Sequence, residues 1–374
     1  MAIDSETRTH IDACRRGLPQ SLGEREVVFG FDGVVDRIRT AVATRQNSEN
    51  YERMDSLEAF GTRITDAAAQ DSSCSIEWIC ERNRAGGHTA HLGRAMERLS
   101  QQPTIIGTFG TPPREVFTEE YDHTELISLG SAPVTDAIEF DDGKVLLSDT
   151  QRLATLDWEE ILSTVDLHSL AASIDGAELL GLGYWATIPR MPSIWEGLRD
   201  DLWPRLRDPP NRILVDPADV RRLAQKTLVE GVRPLSDLDN VVPVTVSANR
   251  AEAHHLLNAL DTDTGDQSLC GVAAALRDTL DISTVVVHAA SEAALATTHD
   301  RYRVVIPRDP EPALTTSAGD HFNAGLVLAE LADIDGGGRI AAGSAVAGWF
   351  VRNGYPPKYD EFLGFLDRYE TLFE

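Results

Sequence analysis

At 374 residues the chain is long enough for one large α/β domain or two ordinary ones. It carries 60 acidic against 34 basic residues, a formal net charge of -26 that disfavours nucleic acid and anionic membranes as partners. A hydrophobic fraction of 42%, punctuated by Gly and Pro, excludes an intrinsically disordered chain.

Lys144, Lys226 and Lys358 are the only lysines, and the acids are scattered along the whole length. Such a surface suits high salt, where ions screen its self-repulsion, so a halophilic cytoplasm is the expected setting. Cys14, Cys74, Cys80 and Cys270 show neither metal-ligand spacing nor a dense disulfide framework, which fits a reducing compartment. The start, Met1-Ala2-Ile3-Asp4-Ser5-Glu6, lacks a basic and apolar signal, and no apolar run reaches membrane length. A soluble cytoplasmic protein is expected.

After a polar lead-in, Val27-Val28-Phe29 reads as a buried strand ending at Gly30-Phe31-Asp32-Gly33. Asp36 then lies just past a strand's carboxyl end, where open α/β sheets bind ligands; a turn aspartate satisfying local backbone is the plainer reading. Residues 40–84 are polar with one helical segment at 57–69 and read as an excursion, a lid or a helical insertion. Gly86-Gly87 opens a helix through Ala95, Met96 and Leu99, and two glycines there permit close approach of a ligand. His88 and His91 have no third ligand at metal-binding spacing and read as solvated or hydrogen-bonded.

Pro103 to Gly107 predicts a strand, and Asp141-Asp142-Gly143 between 137–140 and 144–147 predicts a hairpin. Strands then alternate with helices. Strands fall at 178–182, 212–215, 241–246 and 284–288, helices at 194–206, 220–230, 251–260 and 271–280. The rhythm predicts an α/β fold: a doubly wound, mostly parallel sheet with helices on both faces, plus a small β-rich lid. One domain, 1–374, is expected, with lid segments at approximately 33–84 and 130–150. Helices at 339–352 and 359–373 are apolar at helical spacing and read as core.

Two loops after strands carry candidate chemistry. Asp216-Pro217-Ala218-Asp219 places acids at the carboxyl edge. Asn249 and Glu252, three apart in a first helical turn, could hold a hydrated Mg²⁺ beside phosphates, although helix capping explains the same pair. No Walker-type loop, no Gly-x-Gly-x-x-Gly after the first strand and no nucleophile elbow is present.

Thr315-Thr316-Ser317-Ala318-Gly319-Asp320 runs straight into the helical His321-Phe322-Asn323-Ala324-Gly325. A turn of small residues lets backbone N–H groups converge on an anion at a helix N-terminus. A carboxylate beside an anion hole makes sense where it accepts a proton from an attacking hydroxyl, though an acid in a first helical turn also suits the dipole.

Together these loops resemble the ribokinase/PfkB-like carbohydrate kinase family, in chain order over nearly the full length. Residues 315–325 resemble its glycine-turn signature, D-T-x-G-A-G-D-x-F-x-x-G. Gly86-Gly87 with Arg98-Leu99 resembles its N-terminal signature, and Asn249-x-x-Glu252 its magnesium and phosphate motif. The resemblance implies Mg²⁺-dependent phosphoryl transfer from ATP to a sugar or small polyol. Asp320 would be the general base, and the amides of Ser317, Ala318 and Gly319 the anion hole. Asp36, Gly86, Gly87 and His91 would bind the acceptor. Asn249, Glu252, Thr316 and His288 would serve the nucleotide and its phosphates, with Asn249 and Glu252 organising Mg²⁺ through water. A homodimer through the lid follows from the same analogy.

Departures from the pattern are equally plain. Leu314 replaces the leading Asp, Ser317 the first Gly, His91 the Asn expected after Gly-Gly, and Val287 to Glu292 the usual nucleotide loop. The long insertion, the 138–140 strand and His288 resemble the ADP-dependent sugar kinases, so ADP is the alternative donor. A catalytically silent sugar- or nucleotide-binding protein is the alternative from another class.

Overall fold

A computed structural model describes residues 3–373. Fourteen strands, among the described residues, form two sheets. They are β1 (Glu26–Phe31), β2 (Val34–Arg45), β3 (Tyr51–Arg53), β4 (Trp78–Gly86), β5 (Gln102–Gly107), β6 (Glu125–Ser128) and β7 (Val134–Phe140). Then follow β8 (Gly143–Asp149), β9 (Leu179–Gly183), β10 (Arg212–Asp216), β11 (Val244–Asn249), β12 (Thr284–His288), β13 (Glu292–Thr297) and β14 (Arg301–Val305).

The large sheet runs β14-β13-β12-β11-β10-β9-β1-β5-β6. It is parallel from β6 to β12, with β13 and β14 added antiparallel. Its strands read as continuous apolar runs because both faces are covered. Val28 and Phe31 enter one core and Val27 and Phe29 the other; Ile213 and Val215 likewise face away from Leu214. From β1 the chain winds outward to β5 and β6, then returns to the other side of β1 as β9. That reversal creates a crevice at the carboxyl ends of β1 and β9, the place where such sheets bind ligands.

The second sheet, β3-β2-β7-β8 with β4 paired to β2, is the expected β-rich lid. Its own core is small: Ala41, Met54, Ile138 and Phe140, with the Phe60 ring 5.4 Å from that of Phe140.

The excursion at 40–84 contains strands as well as a helix, contrary to the sequence reading of one helix in a polar stretch. The helix Leu57–Ala69 is present, but β2, β3 and β4 surround it in sequence. The polar lead-in also contains a helix, Ser5–Gly17, which buries only Thr7, Ile11 and Cys14 and so leaves little apolar trace. The expected strand at 241–246 starts at Val244 instead, since the amides of Val241 and Val242 bond back to Leu238. The preceding helix, expected at 220–230, is Gln225–Asp239 after a separate turn at Val220–Arg222. Among the described residues no helix is long and apolar enough to cross a membrane.

Candidate active site

β1, β9, β10, β11 and β12 end side by side, and each end delivers a polar residue: Asp32, Tyr184, Asp216, Asn249 and His288. The helix Ala318–Leu331 points its first turn at this edge. Asp320, in that turn, is 97% buried. Its Oδ1 accepts the Tyr184 hydroxyl at 2.6 Å and lies 3.4 Å from His88 Nδ1. Burial alone would raise this carboxyl. His88 and the Tyr184 hydroxyl outweigh it and hold Asp320 below the usual carboxylate range. Both neighbours engage Oδ1, which leaves Oδ2 as the oxygen available to take a proton.

His88 is fully buried, not solvated as its sequence context suggests. It also stands 3.8 Å from Asp216 Oδ2. Burial works against its protonation, but Asp320, Asp216 and Asp32 pull its pKa above the ordinary value. His88, Asp216 and Asp320 bring a nitrogen and two carboxylate oxygens within 4.8 Å of one another. The two Asp216 oxygens are already taken, Oδ1 by the Ala218 N–H and Oδ2 by the Asn323 amide, each at 2.8 Å. The group is therefore a buried polar cluster around Asp320, held by the Tyr184 and Asn323 hydrogen bonds and the approach of His88.

Gly86 and Gly87 have a concrete job. A Cβ on Gly86 would sit 2.4 Å from Asp36 Oδ2, and one on Gly87, whose φ is +94°, would sit 2.7 Å from Asp32 Oδ2. The glycines make room for two carboxylates. Asp32 uses that room to cap the helix His88–Arg98, accepting the His88 and Thr89 amides at 2.8 and 3.0 Å. Asp36, opposite Arg84 in the β2–β4 ladder, stays half-buried. Burial pushes its carboxyl up to about 6, against the pull of Arg84, Lys144 and Arg94.

A cavity of about 480 Å³ opens on the other side of the helix end. Asn249, His288, Thr315, Ala318, Gly319 and Phe322 are among its walls. The His288 ring packs on Phe322 at 4.8 Å, and burial holds its pKa down to about 4. The Ala318 amide is engaged by the Thr315 carbonyl at 3.2 Å. Gly319 and Asp320 follow as N2 and N3, positions whose amides have no acceptor within a helix. From the lid, Lys144 Nζ donates to Thr316 Oγ1 at 2.8 Å, bringing a cation to the same turn.

Asn249 and Glu252 form a complete capping box, with Glu252 N–H to Asn249 Oδ1 at 3.0 Å and Asn249 N–H to Glu252 Oε2 at 2.8 Å. The capping explanation is thus realised, and it leaves Glu252 Oε1 free. Burial, with Asp216 and Asp219 adding to it, pushes the Glu252 carboxyl up to about 7. Of the twelve residues named from the sequence, Asn249, His288, Ala318 and Gly319 line the cavity, Ser317 meets His91 and Gly86 lies against Asp36. Sequence reasoning missed Tyr184, Asp32, Lys144 and the burial of His88; only the position of Tyr184 just past a Leu-Gly strand end hinted at its place.

Comparison with known proteins agrees with the geometry. The family model for prokaryotic ketohexokinase matches residues 3–369. A ketohexokinase from Haloferax volcanii is 43% identical over 371 residues, 99% of this chain and 98% of that one. A ribokinase structure from Thermotoga maritima superposes with a TM-score of 0.61 at 15% identity, covering 92% of this chain and 99% of that one. A carbohydrate kinase structure from Agrobacterium tumefaciens gives 0.61 at 18% identity, covering 93% and 97%. With a sugar-kinase fold and a family match over almost every residue, the chain belongs to the prokaryotic ketohexokinase family and is a carbohydrate kinase.

Proposed function

We propose that the protein transfers the γ-phosphoryl group of ATP to a hydroxyl of a ketohexose, with Mg²⁺, and that Asp320 is the general base. The observation that carries this reading is the placing of Asp320. Its carboxylate is buried in a first helical turn, on the residue after the Gly319 that lines the cavity. The acceptor hydroxyl gives its proton to Asp320 Oδ2 as its oxygen attacks the phosphorus. The Gly319 and Asp320 amides and the helix dipole meet the negative charge on the transferred group, and Lys144 adds a cation from the lid side. Asp36 accepts hydrogen bonds from sugar hydroxyls. ATP is supported as donor by the ribokinase-family likeness of the fold. A cytoplasmic, high-salt setting belongs to the same proposal and rests on the net charge of -26. Incubating the protein with ATP or ADP and a panel of ketoses, aldoses and polyols in concentrated KCl tests it. Phosphorylation of a ketohexose with ATP is the expected result; no turnover with any pair would end the proposal.

Asn249 and Glu252 fit a hydrated divalent cation. Glu252 is crowded by Asp216 and Asp219, and a set of carboxylates that resists ionisation is one that a cation would relieve. When bound, Mg²⁺ neutralises charge on the nucleotide phosphates. Because the Glu252 carboxyl is raised to about 7, it is protonated on the acid side and loses its hold on the ion there. The Mg²⁺ concentration for half-maximal rate should rise roughly tenfold per pH unit below that value. Glu252→Gln should flatten the dependence, and an unchanged slope would remove Glu252 from the site.

Gly319 offers a sharper probe of the phosphate end. A Cβ there would find its nearest protein atom, His288 Cε1, at 3.5 Å, an ordinary contact. The fold alone does not demand glycine at this position. Gly319→Ala should therefore raise stability by about 0.5–1 kcal/mol through helix propensity. It should weaken ATP binding at least tenfold, as isothermal titration would show. Unaltered nucleotide affinity would place the phosphates elsewhere.

A further inference from the structure

Ser317 sits where a helix N-cap belongs, yet its side chain caps nothing. Its φ of +67° lies in the left-handed region, where glycine would be at ease and serine is strained. A residue that bears strain and skips its usual local bond has a hydroxyl engaged elsewhere. Ser317 Oγ lies 3.2 Å from His91 Nε2, and the other ring nitrogen, Nδ1, lies 3.1 Å from the Arg94 guanidinium.

The direction of each bond follows from the donor inventory. A guanidinium can only donate, so His91 Nδ1 is the acceptor. Burial, aided by Arg94, pushes the His91 pKa down to about 3, so the ring is neutral. A neutral imidazole whose Nδ1 accepts carries its hydrogen on Nε2. Nε2–H therefore donates to Ser317 Oγ, and the hydroxyl's own hydrogen is left to point elsewhere. Arg94 is itself anchored, to Glu120 and to the Ala85 carbonyl at 2.8 Å.

We infer that the Ser317 hydroxyl is a catalytic hydrogen-bond donor to the phosphoryl group in transfer, oriented by a relay that runs Glu120, Arg94, His91, Ser317. The inference rests on the phosphoryl-transfer reading above and adds a side-chain donor to its anion site. Each bond in such a chain polarises the next, so the terminal O–H is a better donor than an isolated serine. The two departures from the family pattern, His91 and Ser317, thereby become one device. Ser317 replaces a glycine that offers no side-chain donor, and His91 aims the hydroxyl that Ser317 adds.

Ser317→Gly is the decisive variant, because glycine relieves the positive φ and folding is retained. Its kcat should fall about 10²-fold, with KM for the ketohexose within about twofold of the parent. His91→Phe should lower kcat comparably, and the double variant should be no slower than the slower single variant, since both remove the same donor. A Ser317→Gly enzyme with parental kcat overturns the inference, and so do losses that multiply in the double variant. The parent assayed alongside separates the two levels of argument. A silent parent sinks the phosphoryl-transfer reading and this one with it, whereas an active parent matched by Ser317→Gly sinks this one alone.

Discussion

Asp320→Asn should lower kcat by about 10³-fold while leaving nucleotide and sugar KM values within a few-fold of the parent. The replacement keeps shape and removes only the ability to take a proton. Asn Oδ1 still accepts the Tyr184 hydroxyl that now bonds Asp320 Oδ1 at 2.6 Å, so the side chain keeps its anchor. The buried His88 loses one of the three carboxylates that favour its protonated form and moves toward the neutral ring. Steady-state kinetics with a melting curve would separate the outcomes. Near-parental turnover in a folded variant would deny Asp320 the role of base. Loss of folding with loss of rate would show that its charge serves the network more than the chemistry.

The largest expected effect on stability lies at Gly107, the last residue of β5. A Cβ there would fall 1.9 Å from the Asp32 carbonyl oxygen and 2.9 Å from Phe109 Cζ. The first obstacle is backbone and cannot rotate away. That same carbonyl accepts the Thr89 hydroxyl at 2.6 Å, and the Asp32 carboxylate holds the His88 and Thr89 amides. Forcing Asp32 outward breaks all three bonds and unseats His88. Gly107→Ala should therefore cost roughly 3–5 kcal/mol, combining overpacking with lost hydrogen bonds. A denaturant midpoint shift under the equivalent of about 1 kcal/mol would contradict the geometry. Gly364→Ala is the control: no atom lies within 4 Å of its Cβ, and helix propensity alone should make the variant slightly more stable.

What could be read from the sequence was local. The turn at Thr315–Asp320, the Gly-Gly pair and the Asn249–Glu252 spacing each sit within a few residues, and β12 lies where its apolar run predicts it. Of the lid, the hairpin of β7 and β8 was legible from the turn Asp141-Asp142-Gly143, whereas β2, β3 and β4 were hidden because they have little apolar side to show. Along β4 only Ala85 and Gly86 are buried, so no alternation marks it as a strand. The partners of Asp320 were hidden for another reason. Tyr184 is 136 residues away in sequence, and only the order of strands in the sheet makes them neighbours. His91 and Ser317 are 226 residues apart. Each could be flagged as a departure from a pattern, but their hydrogen bond depends on how the helix His88–Arg98 packs against the anion turn.

The room made by Gly86 for Asp36, and by Gly87 for Asp32, constrains how this site can change over generations. A side chain at either glycine would push its carboxylate aside, Asp36 by turning and Asp32 only by breaking its bonds to the His88 and Thr89 amides. Once Asp36 is lost, the crowding against an alanine at 86 is gone. Gly87 remains under a second restraint, its φ of +94°. Position 86 should therefore vary in step with position 36, whereas position 87 should remain glycine even in lineages that abandon Asp32.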